Sequence, residues 1–136
     1  MLFVVDANEL FSALISRGKT LELFFHPEME CVAPDFMTAE FNKHKKEIVQ
    51  KSGLEEEDIN NFFFLLKEKI RFFRTSEFDE FLQKAEKICP DKDDVDYFTL
   101  SLKLNCPVWS EDKKLKEQNE IEVYSTEDLI KKFNLK

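Results

Sequence analysis

Short apolar runs alternate with stretches of helical periodicity along this chain, and that alternation does most to restrict its fold. Leu2 to Val5, Cys31 to Ala33, Ile70 to Phe73, Pro107 to Trp109 and Ile121 to Tyr124 read as five strands, each a brief apolar block of strand length. Between them, Leu10, Phe11, Leu14 and Ile15 recur at helical spacing, Leu21 to Phe25 forms a short helix stopped by Pro27, and Phe36 to Gln50 forms a longer one. Ser52-x-x-Glu55, Ser76-x-x-Asp79 and Ser125-x-x-Asp128 each predict a capped helix start. The first of these helices carries Ile59, Phe62, Phe63, Leu65 and Leu66. The second turns Phe78, Phe81, Leu82, Ala85 and Ile88 inward, and the third runs through Phe133. Asp91 to Asp94 is an acidic start to a helix reaching Leu104, which suits the positive end of the helix dipole. Strands alternating with helices predict an α/β fold with a mainly parallel sheet, right-handed crossovers, and a working site beyond the carboxyl ends of the strands. No repeat or low-complexity linker interrupts the pattern, so residues 1–136 read as a single domain.

Composition removes several functions. The chain has 28 acidic and 20 basic residues, a formal charge of −8, which excludes a grip on phosphate by bulk charge. Gly18 and Gly53 stand alone, so no Gly-rich phosphate loop exists. No apolar run nears the ~20 residues that cross a bilayer, so no membrane partner is expected. The start, Met1-Leu-Phe-Val-Val, lacks the basic segment of a signal peptide, and the expected location is the cytoplasm. Cys31, Cys89 and Cys106 form no C-x-x-C pair and read as reduced thiols rather than a disulfide framework or zinc site.

The carboxylates fall at informative places. Asp6 directly follows the first strand, Glu40 opens the helix after the second, Asp91, Asp93, Asp94 and Asp96 gather at a helix start, and Asp112 follows the fourth strand. Each can reach the same edge of the sheet. Singly, each has an ordinary reading as a helix cap or a solvated residue. Together they would repel strongly in one crevice unless a cation lay between them or some carried protons. Oxygen ligands without neighbouring His or Cys point to Mg²⁺ or Mn²⁺, ions that serve phosphate chemistry.

Four segments then resemble the motifs of PIN domains, the nuclease fold that includes VapC-type toxins. They are Val4-Val-Asp6-Ala-Asn8, Pro34-Asp-Phe-Met-Thr-Ala-Glu40, Asp91-Lys-Asp-Asp94-Val-Asp96 and Pro107-Val-Trp-Ser-Glu-Asp112. Their order and spacing span nearly the whole chain. The resemblance implies a three-layer α/β/α sandwich around a five-stranded parallel sheet, and metal-dependent endonuclease activity on RNA. It implies that Asp6, Glu40, Asp94 and Asp112 are the catalytic acids and hold Mg²⁺ or Mn²⁺. Asn8 and Ser110 would support them, as would the surplus acids Asp91, Asp93 and Asp96. Asp94 is chosen among the third-motif acids because it lies eighteen residues before Asp112. Tyr97 and Phe98 depart from the family pattern, which has small residues there.

An acidic nuclease must still hold RNA. Lys43, His44, Lys45 and Lys46 follow Glu40 on one helix, and Lys113, Lys114 and Lys116 follow Asp112. These lysines are candidate contacts to the substrate backbone, with solvated surface as their ordinary reading. Phe62, Phe63 and Phe64 cannot all face one way on a helix, and an outward Phe suits a homodimer or a small inhibitor (antitoxin) protein. The activity expected is that of a VapC-type toxin or an RNA-processing endoribonuclease. The alternative is a catalytically inactive PIN-fold scaffold for RNA binding or assembly. A small-molecule phosphohydrolase is disfavoured, because position 8 is Asn where an Asp-x-Asp start needs Asp, and no G-x-S-x-G is present.

Overall fold

A computed structural model describes residues 1–135. The elements run β1 (Leu2–Val5), α1 (Ala7–Ser16), α2 (Gly18–Phe24), β2 (Glu30–Pro34), α3 (Met37–Ser52), α4 (Glu56–Lys67), β3 (Ile70–Phe73), α5 (Leu82–Ile88), α6 (Val95–Leu104), β4 (Val108–Trp109), β5 (Val123–Tyr124) and α7 (Thr126–Lys132), with short 3₁₀ turns between some of them. All strand pairs are parallel, in the order β3-β2-β1-β4-β5. Phe3 lies beside Cys31, Val4 between Val32 and Val108, and Trp109 beside Tyr124.

Alternation along the strands makes the three layers. Phe3, Val5, Cys31, Ala33 and Trp109 face a core shared with α1, α2, α3, α4 and α7. Val4, Val32 and Val108 face the other way, onto Ala85 of α5 and Phe98 and Leu100 of α6. Strands buried on both faces are continuous apolar runs, as a covered parallel sheet requires. The α/β/α sandwich expected from the sequence is therefore the fold. Among the described residues, no helix is long and apolar enough to cross a membrane.

The chain leaves β1 toward β2 on one side and later returns to place β4 on the other. The order reverses between β1 and β4, and an open parallel sheet forms its crevice at such a switch point. Asp6 follows β1 and Asp112 follows β4, so both acids fall there.

Two predicted helix starts differ. Ser52 is the last residue of α3, and Gly53 ends that helix at φ 73, a left-handed conformation that glycine adopts without strain. Ser52 Oγ accepts the Leu54 amide while Glu55 becomes the N-cap of α4, so the Ser52-Glu55 box does not form. Ser76-x-x-Asp79 also fails to open a helix. Two 3₁₀ turns, Thr75–Glu77 and Asp79–Phe81, flank Phe78. Phe78 is fully buried, with φ −136, so seating this ring in the core breaks the helix and delays α5 to Leu82. The Ser125 box does form, with Ser125 Oγ accepting the Asp128 amide at 3.1 Å and Asp128 Oδ2 accepting the Ser125 amide at 2.9 Å. It fixes the start of α7.

On α4, Phe63 is buried, stacked on Phe41 of α3 at 3.7 Å between ring centroids, whereas Phe64 is 60% exposed and Leu65 49%. A pair of outward apolar side chains in mid-helix suits contact with another protein. Phe64→Asp is expected to leave the melting temperature nearly unchanged and to reduce any self-association seen by light scattering. Identical scattering from a wild-type monomer would remove the homodimer.

Candidate metal centre

Asp6 follows β1 in extended backbone and caps α1, its Oδ1 accepting the Asn8 amide at 3.1 Å. Its Oδ2 accepts the hydroxyl of Ser110 at 2.8 Å, and the same Ser110 Oγ accepts the Asp112 amide at 3.1 Å. One serine thus ties the end of β1 to the end of β4. Asp6 is buried, and burial raises its pKa, helped by the charges of Asp112 and Asp91 and opposed by the Asn8 and Ser110 hydrogen bonds.

Asp112 caps a 3₁₀ turn, Lys113–Glu117, by accepting the Lys114 amide at 3.0 Å. Asp91 caps the turn before α6, its Oδ1 accepting the Asp93 amide at 3.0 Å, and Asp94 closes that turn onto the Asp91 carbonyl at 3.1 Å. These turns bring one carboxylate oxygen each from Asp91, Asp94 and Asp112 within 4.8 Å of one another. Asp94 is pushed up to about 8, first by burial, then by its hydrogen bond to Asp112 and the charges of Asp6, Asp91 and Asp112. Burial also acts on Asp112, but its side-chain contacts with Asp91 and Asp94 and the hydrogen bond from the Lys114 amide outweigh it and hold this carboxyl below its ordinary value. The shared proton therefore rests on Asp94. A divalent cation would replace that proton and relieve the crowding of charge. Three oxygen donors at this spacing, with no thiolate or imidazole among them, fit a hard cation such as Mg²⁺ or Mn²⁺.

The other predicted residues take varied positions. Asp6, Asn8, Glu40, Lys43, Asp93 and Asp94 line one cleft of about 510 Å³, together with His44 and Tyr97. Asp6 lies beside the three-acid cluster and acts on it through charge. Glu40, in the first turn of α3, is 39% exposed in its side chain and sits 3.5 Å from His44 Nε2. Asp96 lines a separate hollow with Cys89 and Lys92. Lys45 lies over the Phe41 ring at 5.4 Å, and Lys46 is exposed away from the cleft lining. Lys113 and Lys116 line a neighbouring hollow that contains Ser110 and Asp112. Lys116 is paired with Asp128 at 2.6 Å, and Lys114 contributes its backbone amide to Asp112.

Sequence reasoning missed Glu9. It is 1% exposed, and its Oε2 accepts the Thr126 hydroxyl at 2.7 Å. Thr126 Oγ1 in turn accepts the Trp109 indole N–H at 3.0 Å, and the Thr126 amide donates to Glu111. Glu9 Oε1 is buried without a partner. The available signal was its place one helical turn before the buried Ala13, on the covered face of α1.

Comparison with known proteins agrees with this fold. No curated protein matches the sequence. The chain is similar in structure to a chain in the crystal structure of VapBC2 from Rickettsia felis bound to a DNA fragment from their promoter, with a TM-score of 0.64, 12% identity, and coverage of 92% of this chain and 98% of that one. The family model described as the PIN domain matches residues 4–128. That match runs from within β1 into α7 and takes in every acid of the cluster, and the chain belongs to the PIN domain family.

Proposed function

We propose that this protein is a Mg²⁺- or Mn²⁺-dependent endoribonuclease, acting as a VapC-type toxin or an RNA-processing enzyme. The observation that carries the reading is the meeting of Asp91, Asp94 and Asp112, with Asp6 beside them, at the switch point of a parallel sheet. PIN domains are generally nucleases, and acids so placed suit that chemistry. A complete set of acids also counts against the inactive scaffold.

Asp91, Asp94 and Asp112 would hold the cation, with Asp6 supporting it from a position fixed by Ser110. When bound, the cation would supply an acidified water and neutralise charge on the phosphoryl group. Glu40, which lines the same cleft, would take the proton of the attacking water on a carboxylate oxygen. Asn8 offers an amide at the cleft wall. Lys43 and Lys113 extend the site as contacts to the RNA backbone. The test is cleavage of a broad RNA panel with Mg²⁺ or Mn²⁺ by wild type and Asp6→Asn. Metal-dependent cutting lost in the variant supports the reading, and equal residual cutting by both contradicts it.

Backbone contacts should appear in the salt dependence of RNA binding. Neutralising Lys43 and Lys113 together is expected to weaken binding and flatten the log–log salt slope by about 1 to 1.5, since each single-strand phosphate contact contributes roughly 0.7. Lys116→Ala should change it less, because that ammonium is already paired with Asp128. An unchanged slope in the double variant would place RNA elsewhere.

The structurally similar Rickettsia felis chain belongs to VapBC2 bound to promoter DNA. A small antitoxin-like protein is accordingly proposed as a partner here, with the exposed Phe64 and Leu65 of α4 available to it. A homodimer is the competing use of the same face.

A further inference from the structure

We propose that Tyr97 is a substrate-contacting residue, its hydroxyl donating a hydrogen bond to a non-bridging oxygen of the phosphate received by the acids. The inference rests on the nuclease reading above. Tyr97 lies in the first turn of α6, just after Asp94, and is 5% exposed. Its ring packs edge-on against Phe36, with centroids 5.7 Å apart at 71°. Its oxygen accepts the Ala7 amide at 3.2 Å. Among the described residues, nothing accepts the proton of this hydroxyl. A buried hydroxyl is both donor and acceptor, and leaving its donor unused is uncommon.

Tyr97, which bears this unused donor, lines the cleft that holds Asp6, Glu40 and Asp94. Burial first, and then the charge of Asp6, keep the phenol protonated. The cleft's other donors stand farther out, with Asn8 and Lys43 exposed and the His44 side chain 38% exposed. Tyr97 is thus the buried donor at the acids' own depth. Ala7 and Phe36 fix it before substrate arrives, and a donor held in place strengthens the interaction with a phosphate oxygen without reorganisation. The alternative is a strut that only accepts the Ala7 amide and joins α6 to α1.

The experiment compares wild type and Tyr97→Phe in Mn²⁺, on RNA carrying either a normal or a phosphorothioate scissile linkage, with each diastereomer tested and Mn²⁺ affinity measured in parallel. The variant is expected to lose about ten- to a hundredfold in kcat, keep its Mn²⁺ affinity, and show a smaller sulfur effect for one diastereomer. An unchanged kcat overturns the inference, as does a loss with the sulfur effect intact, which a strut would give. Wild type that cuts no RNA defeats the nuclease reading itself, and the inference with it. Should Tyr97→Phe fail to fold, 3-fluorotyrosine at position 97 keeps ring and hydroxyl and strengthens the donor. It should then alter the same sulfur effect, and an unaltered effect overturns the inference.

Discussion

Asp94→Asn is expected to make the protein more stable and less active at once. Asp94 carries the proton that three neighbouring acids force on the site, and its carboxyl is pushed up to about 8 by burial, the Asp112 hydrogen bond and those charges. An amide removes the ionisable group, so metal-free melts near pH 7.5 should show the variant about 1–2 kcal/mol more stable, a value reduced for partial solvation. The same change removes a ligand, and cleavage should fall at least ~10²-fold. Mn²⁺ separates the two effects. A ligand at one hundred times its Kd stabilises the folded state by about 2.7 kcal/mol, which wild type should gain and the variant should largely lose. A variant less stable than wild type without metal would show that the acids are not crowded as described.

The second large effect lies at Glu9, away from the acid cluster. Burial first, with the charges of Glu111 and Asp6, pushes this carboxyl to about 8, against the hydrogen bonds of Thr126 and Trp109. In the unfolded chain it titrates near the ordinary value of about 4.3. Between these values the unfolded chain has released a proton that the folded chain keeps, so stability declines as pH rises. The contribution is complete below the unfolded pKa and gone above the folded one. Wild type should lose about 2–4 kcal/mol from this group between pH 4.5 and 8.5, roughly 10 °C in melting temperature for a chain of this size. Glu9→Gln keeps an oxygen for the Thr126 hydroxyl and cannot ionise. Its stability relative to wild type should rise through this window, read from thermal melts of both proteins at several pH values. Parallel curves would mean that Glu9 is solvated or already charged in the folded state.

The legible parts of the fold were those set by local pattern. Leu2 to Val5 and Ile70 to Phe73 are strands at the predicted residues, and the Ser125 box opens α7 as read. The failures at Ser52 and Ser76 share a cause. Each motif matched a local template, yet Gly53 and the buried Phe78 decide where the chain turns, and burial of Phe78 is a tertiary fact. The candidate acids were visible because each ends a strand or opens a helix. Their grouping was not. Asp91 and Asp94 share a 3₁₀ turn that points both toward Asp112, whereas Asp96, two residues on, faces another hollow. Glu9 and Tyr97 were hidden because a buried acid and a buried phenol look, in sequence, like surface and core residues.

The proposed activity depends on a cation held by Asp94 and Asp112 at the sheet's switch point. Electron paramagnetic resonance titration with Mn²⁺ of wild type and the Asp94→Asn, Asp112→Asn double variant tests this directly. Saturable Mn²⁺ uptake by wild type, absent from the folded double variant, is the predicted result. Equal uptake by both proteins would contradict it.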